Sequence, residues 1–302
     1  MAVSRSDIVK ELEPGLNAVF GKEYSRYENE HAVLFDTESS SRAFEEEVLF
    51  PGFEGARVKA EGSPVTYVET SEGWVARYNH ETVALAFAIT EEAVEDNLYE
   101  PLANRLSKAL ARAMAHTKQV KAANVYNNGF SSSYTGGDGV ALFSTAHPTK
   151  AGVNQSNKPS TDADLSETSL ETALIDIAGY KDDREIPIAV QARSLHIPRQ
   201  LVFVAERILK SPYRVGTADN DVNAMYNMNA LPQGFMINHR FTDSDAWFIR
   251  TDVPNGMKHF ERVSMATGME GDFETGNMRY KARERYSFGW SDWRAVYGSQ
   301  GA

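Results

Sequence analysis

Seven histidines, no cysteine, and 42 acidic against 31 basic side chains limit the chemistry open to this 302-residue chain. His31, His80, His116, His147, His196, His239 and His259 are scattered, with no i, i+4 pair and no His-Glu-x-x-His segment to hold zinc on one helix face. Each reads as a surface or hydrogen-bonded residue. Without cysteine there are no thiolate metal sites, disulfides or sulfur nucleophiles. Ser144 precedes His147 in "FSTAHP", but a nucleophilic serine needs an elbow such as Gly-x-Ser-x-Gly and a base placed by the fold. A turn closed by Pro148 is the simpler reading. "SYTGGDG", residues 133–139, has the glycines of a phosphate cradle without the Lys-Ser/Thr of a P-loop or a helix start, so it reads as a flexible loop. Acidic runs such as Glu45–Glu47 and Glu91–Glu92 read as solvated faces in a chain of net charge −11. No catalytic, cofactor-binding or metal-binding residue is expected, and no enzymatic activity.

The same charge disfavours a nucleic-acid reader, and no apolar run reaches the roughly 20 residues of a membrane span. What remains is structure. Ile8, Leu12, Leu16 and Val19–Phe20 give one helical signal, followed by an extended arm whose Phe35, Phe44 and Phe50 need partners. From Gly52 to Ala88 the pattern alternates over Val65 and Tyr67, then Trp74, Ala76 and Tyr78, with "TSEG" at the bend. This predicts a long hairpin, charged on both faces, that must lie on another surface because two strands alone are marginal. Thr90 is a candidate cap for a helix over Glu91–Ala123, with apolar residues at Val94, Leu98, Leu102, Leu106, Leu110, Ala113 and Val120; Pro101 either kinks it or opens a second segment. A turn-rich stretch over 124–164 follows. A second helix starts from Asp164 or Ser166, "ARSLHIP" reads as a strand, and Pro198 opens a third helix to Ser211. Strands are expected at Gly234–Ile237, Ala246–Thr251, His259–Val263 and Asn277–Tyr297. The class is α+β.

The chain's end, "ARERYSFGWSDWRAVYGS", sorts by parity. Tyr286, Phe288 and Trp290 share one side of a strand, Arg283 and Arg285 the other, and a break at Ser291–Asp292 opens a second strand with Trp293, Ala295 and Tyr297.

This order of elements resembles the major capsid proteins of tailed phages, the Hong Kong 97 fold, over essentially the whole chain. "SLHIPRQLVFVAERILKS" (194–211), "DAWFIRTD" (245–252) and "DFETGNMRYKARERYSFGWSDWRAVYGS" (272–299) look most similar to Mu-like major head subunits. The resemblance implies an N-terminal arm (1–51), an extended-loop hairpin (52–88) lying across a neighbour, and a peripheral domain with a spine helix and β-sheet (89–159). It further implies an axial α/β domain (160–255), return strands of the peripheral domain (256–291) and a C-terminal strand and tail (292–302). Arg57, Lys59, Glu61 and Arg77 become candidates for loop-to-neighbour ion pairs, with Trp74 among the assembly contacts. Arg283, Glu284 and Arg285 become candidates at threefold regions. As plain strand charges, each would contribute about 0–1 kcal/mol.

The implied function is a major head protein forming pentamers and hexamers of an icosahedral shell around double-stranded DNA, without sequence-specific binding. Its partners are other copies of itself, with separate scaffolding, portal and decoration proteins; it needs no cofactor, metal or membrane. It is assembled in the host cytoplasm and resides in the virion. About 50 residues precede the hairpin, so scaffolding is expected from a separate protein. No covalent cross-link is expected at Lys59, the hairpin's only lysine. An encapsulin-type nanocompartment is the alternative on the same fold, and a hydrolase using Ser144 and His147 the alternative from another class.

Overall fold

The computed structural model describes residues 5–26, 28–68, 72–90, 92–93, 99–213, 221–272 and 275–302, with side chains of the first helix from Glu13 and of the long helix from Leu102. The side chains of Ile8 and Leu12, the expected helix start at Glu91 and Val94–Leu98, and the bend at Thr70–Ser71 lie outside the described residues.

Two four-stranded sheets organise the chain. The first has the order β1 (Asp36–Ser39), β10 (Met257–Gly271), β11 (Met278–Trp290), β4 (Glu81–Ile89); β1 runs parallel to β10 and the other pairs are antiparallel. In β11 burial alternates with every residue from Met278 to Glu284, as the parity reading expects. The inward side meets two helices, α1 (Arg5–Tyr24) and α2 (Tyr99–Asn127). Leu16 and Phe20 of α1, Leu110, Ala111 and Met114 of α2, and Tyr280 and Ala282 of β11 form one buried cluster. Pro101 lies in the first turn of α2, where its missing N–H leaves no hydrogen bond unmade, so it opens this helix without kinking it. β10 is longer than the expected His259–Val263, because pairing with β11 along its length carries the Gly- and Ser-containing half.

The second sheet, in the order β12 (Val296–Ser299), β9 (Trp247–Thr251), β7 (Ala192–Ile197), β8 (Phe235–Ile237), matches strands expected from sequence. Three helices accompany it. α3 (Glu167–Ala178) starts at Ser166, whose side chain accepts the Ser169 N–H while Ser169 Oγ accepts from Ser166 N. α4 (Val202–Lys210) follows a 3-10 turn at Arg199–Leu201, and α5 (Ala224–Asn227) is short. Leu170, Ala173, Ile177 and Ala205 pack with Leu195, Ile197, Ile249 and Tyr297 in the largest core. The chain is α+β as expected.

Three expectations need correction. The hairpin over Gly52–Ala88 is absent as such. β2 (Phe44–Val48) pairs with β3 (Val75–Asn79) as a short ribbon, β4 joins the first sheet, and residues 50–68 carry no strand. The alternation at Val65 and Tyr67 is real, but nothing among the described residues offers them a ladder. Secondly, Trp293 and Ala295 lie in a 3-10 turn, because Asp292 Oδ1 caps the Arg294 N–H; the final strand begins at Val296. Thirdly, the glycine loop is packed. A Cβ on Gly136 would lie 2.1 Å from the Trp290 ring and one on Gly137 2.7 Å from Val75 O, so these glycines allow close approach and do not serve flexibility.

That turn also carries the chain from the first sheet to the second. There the buried Asn157 side chain donates to the carbonyls of Leu142 (2.7 Å), Trp293 (3.2 Å) and Val296 (3.2 Å). Its Oδ1 accepts from Ser144 N at 3.0 Å and His147 Nε2 at 3.1 Å, and its backbone carbonyl accepts from Gly298 N at 3.1 Å. Asn157→Ala strands several buried groups at a cost of about 1–3 kcal/mol each. Chemical denaturation should show a loss of about 3 kcal/mol or more, against less than about 0.5 kcal/mol for the exposed Asn154→Ala.

Candidate assembly surface

Of the eight residues singled out as assembly contacts, the structure separates those that face outward from those already engaged. Arg57, Lys59 and Glu61 sit on the exposed loop 50–68, Arg57 within 3.7 Å of Glu54. The loop's base is tied by Leu49 N to Trp74 O (3.0 Å) and Gly73 N to Leu49 O (2.7 Å), and the β2–β3 ladder continues below it. Above the base, Phe50, Phe53, Val58, Val65 and Tyr67 are open to solvent, Tyr67 at 94 %. Single exposed apolar residues are ordinary; a whole loop of them marks a contact surface.

Four of the other five candidates have partners in their own subunit. Trp74 turns inward against the large core and donates from Nε1 to Ser291 O at 3.4 Å. Arg77 lies 3.6 Å from Glu46 and stacks 4.0 Å over the Phe44 ring, bracing the ribbon across its two strands. Glu284 is 1 % exposed: it shares the inward side of β11 with Tyr286, where Lys118 Nζ of α2 approaches at 3.4 Å and Tyr24 OH donates at 3.3 Å. Its carboxylate is therefore engaged within the subunit. Parity with Tyr286 was the available signal, and the flanking arginines masked it. Burial raises the Glu284 carboxyl above the ordinary range, with Lys118 opposing. Arg283 points outward, and Arg285 reaches the Ala43 carbonyl at 3.4 Å.

Two structural lysines carried no sequence signal. Lys118 bridges α2 to Glu284 and Glu261, the latter at 3.7 Å. Lys258, nearly inaccessible on β10, pairs with Glu38 of β1 and, at 3.2 Å, with Glu47 of β2, so one ammonium ties the arm and the ribbon to the sheet. Burial acts to lower its pKa, and the two carboxylates outweigh that and hold it raised.

The geometry gives Ser144 and His147 no nucleophilic relationship. His147 is buried with Nδ1 2.7 Å from Asp138 and Nε2 on Asn157, and its ring stacks on Trp293 at 4.5 Å; Ser144 Oγ accepts from Ala146 N. Both ring nitrogens are spoken for, so neither is free to act as the base for a serine. Among the described residues no group of three His, Asp or Glu side chains could hold a metal ion.

A sheet backed by helices, a second sheet joined to it through a buried turn, and a protruding apolar loop form the frame in which residues 59–299 match the family described as phage capsid protein. The chain belongs to the phage capsid protein family. Solved structures share its fold: the capsid of an empty GTA particle (13 % identity, TM-score 0.55, 91 % of this chain and 90 % of that one) and Mycobacterium phage Che8 (12 %, 0.52, 91 % and 93 %). A virus-like particle from Pyrococcus furiosus is also similar (10 %, 0.50, 94 % and 97 %). A search of curated proteins finds no match. This capsid protein has the Hong Kong 97 fold of tailed-phage major capsid proteins, is structural in kind, and its copies associate into the phage shell. The comparisons carry no narrower kinship to Mu-like head subunits.

Three buried histidines of the capsid protein make its stability depend on pH. Burial pushes His31 down to about 4, with Lys118 adding to it, and takes His196 and His259 to about 3. The folded state therefore binds fewer protons than the unfolded one below about pH 6.5. Stability is full above that pH and falls on acidification, by up to about 1.4 kcal/mol per pH unit for each histidine. Glu284 and Asp183, both raised by burial, act with the opposite sign: their stabilisation is present below the ordinary carboxylate pKa and lost as pH rises through the folded value. Denaturation of the free subunit from pH 7 to 4 should show a net loss, and a flat profile would refute the assignment.

Proposed function

We propose that this protein is the major head subunit of a tailed phage, assembling as pentamers and hexamers into an icosahedral shell that encloses double-stranded DNA. The exposed loop carries the reading. It holds large apolar side chains away from the subunit's own core, on a braced stalk, where only another molecule can cover them.

On this reading the exposed loop 50–68 is the extended loop laid across a neighbour, and Arg57, Lys59 and Glu61 contribute ion pairs there. Residues 89–159 and 256–291 form the peripheral domain with α2 as its spine. Residues 160–255 form the axial domain, whose copies meet at fivefold and sixfold centres. Residues 1–51 are the arm, and 292–302 tie the two domains together. The net charge of −11 suits a container that encloses DNA without gripping its phosphates. Scaffolding, portal and decoration proteins are separate chains, assembly takes place in the host cytoplasm, and the subunit has no enzymatic role. The encapsulin reading keeps the fold and changes the cargo; the match to a phage capsid family favours DNA.

Burying each loop aromatic in a neighbour contributes about 2–3 kcal/mol. Phe53→Ser with Tyr67→Ser should therefore raise the concentration needed for shell formation at least about tenfold, read by light scattering and electron microscopy, with the subunit's unfolding midpoint unchanged. Shells forming at the wild-type concentration would refute the role given to the loop.

A further inference from the structure

β4 is an edge left open. It is nine residues long, pairs with β11 alone among the described residues, and from Thr82 to Ile89 contains no charge and no proline. Along an edge strand every second residue aims its N–H and C=O away from the sheet, and natural edges are ordinarily shortened, bulged, charged or covered. β1, the opposite edge, is only four residues long. On the side of the sheet away from the helices, β4 presents Thr82, Ala84, Ala86 and Ala88, while Leu85, of the opposite parity, is half exposed on the helix side. These small residues form a shelf beside a row of cations, because Arg283, Lys281 and Arg279 stand directly across from Ala84, Ala86 and Ala88.

The chain also carries a segment suited to such an edge. The loop turns at Glu61–Gly62, where Gly62 has φ +79 and Ser63 N donates to Ala60 O at 3.1 Å. Beyond that bond, residues 63–68, Ser-Pro-Val-Thr-Tyr-Val, run on with no further backbone hydrogen bond among the described residues, although β-branched and aromatic types predominate. Pro64, near the start, is tolerated in an added outer strand.

We propose that residues 63–68 of one copy add as a fifth strand to the free edge of β4 in a neighbouring copy. The inference rests on the reading that the loop crosses to a neighbour, and it names the surface that receives it. Main-chain hydrogen bonds supply the attachment, and the alternating Val65 and Tyr67 cover the Ala shelf. A strand outside β4 lies about 9.6 Å from β11, two strand spacings. Across that shelf the long side chains of Lys281 and Arg283, which no acidic side chain engages among the described residues, reach Glu61 at the head of the incoming strand.

The absence of cysteine gives a clean test. In full-length protein, Val65→Cys is combined in turn with a cysteine at each position from 82 to 88, assembled, oxidised and run under denaturing conditions. The expected result is a ladder of covalent multimers at alternate positions only, the period of a strand, with no ladder from any single variant. In parallel, hydrogen exchange on wild-type protein should show slow exchange of the outward β4 amides in shells and fast exchange in the free subunit. Shells that form without any Val65 cross-link, or with β4 amides equally exposed, overturn the inference while leaving loop-dependent assembly standing. Cross-linking of Leu85→Cys to itself would also overturn it, showing two β4 edges paired. Failure of the wild-type protein to form shells would overturn the functional reading, and this inference with it.

Discussion

One carboxamide holds the two halves of this subunit together. Asn157 has two N–H hydrogens and one oxygen, and it serves three carbonyls, one backbone amide and one imidazole, all in the interior. Those groups belong to the glycine-loop segment, to the turn after β11 and to the start of β12. A buried polar group left unpaired is costly, so the site admits essentially one arrangement of these three segments. The aromatic end of the chain follows from it. Trp293 stacks on His147, Tyr297 donates to Asp176 of α3 at 2.9 Å, and Arg294 reaches Asp183 at 2.9 Å and the Lys181 carbonyl at 2.7 Å. A terminus that would ordinarily fray is thus a structural rivet.

From that anchor the division between engaged and unengaged groups becomes clear. Charges within the subunit are placed with care: Lys118 between α2 and β11, Lys258 between arm, ribbon and sheet, Arg294 beneath the second sheet. Buried pairs of this kind add little net stability because desolvation opposes the attraction, but a broken one leaves an uncompensated charge, so they fix geometry. Against this, among the described residues loop 50–68 leaves its aromatics, and all of its backbone but the Ser63–Ala60 turn, without partners. Groups inside the subunit are economically paired, and what it leaves open is concentrated at this one loop.

Much of this was legible in the sequence. Period-two burial in β11, the Ser166 cap, the strand at Ala192–Ile197 and the proline before α4 are local signals, and local chemistry decided them. The hairpin failed for a physical reason: alternation shows that a segment is suited to a ladder and does not show where the ladder is. For Phe44–Val48 the partner was Val75–Asn79, and for Val65 and Tyr67 the described residues offer none. Glu284 read as a surface charge because charge outweighed parity, while its true partner, Lys118, is far away in sequence. The glycine loop looked flexible because a sequence does not distinguish a glycine that frees the backbone from one that admits Trp290.

The claim at the centre is that these copies complete one another through the loop. Electron cryomicroscopy of the purified wild-type protein tests it most directly. Closed icosahedral particles are expected, in which residues 50–68 of each subunit rest on an adjacent one. A stable monomer at high concentration, or particles in which the loop folds back onto its own subunit, would contradict it.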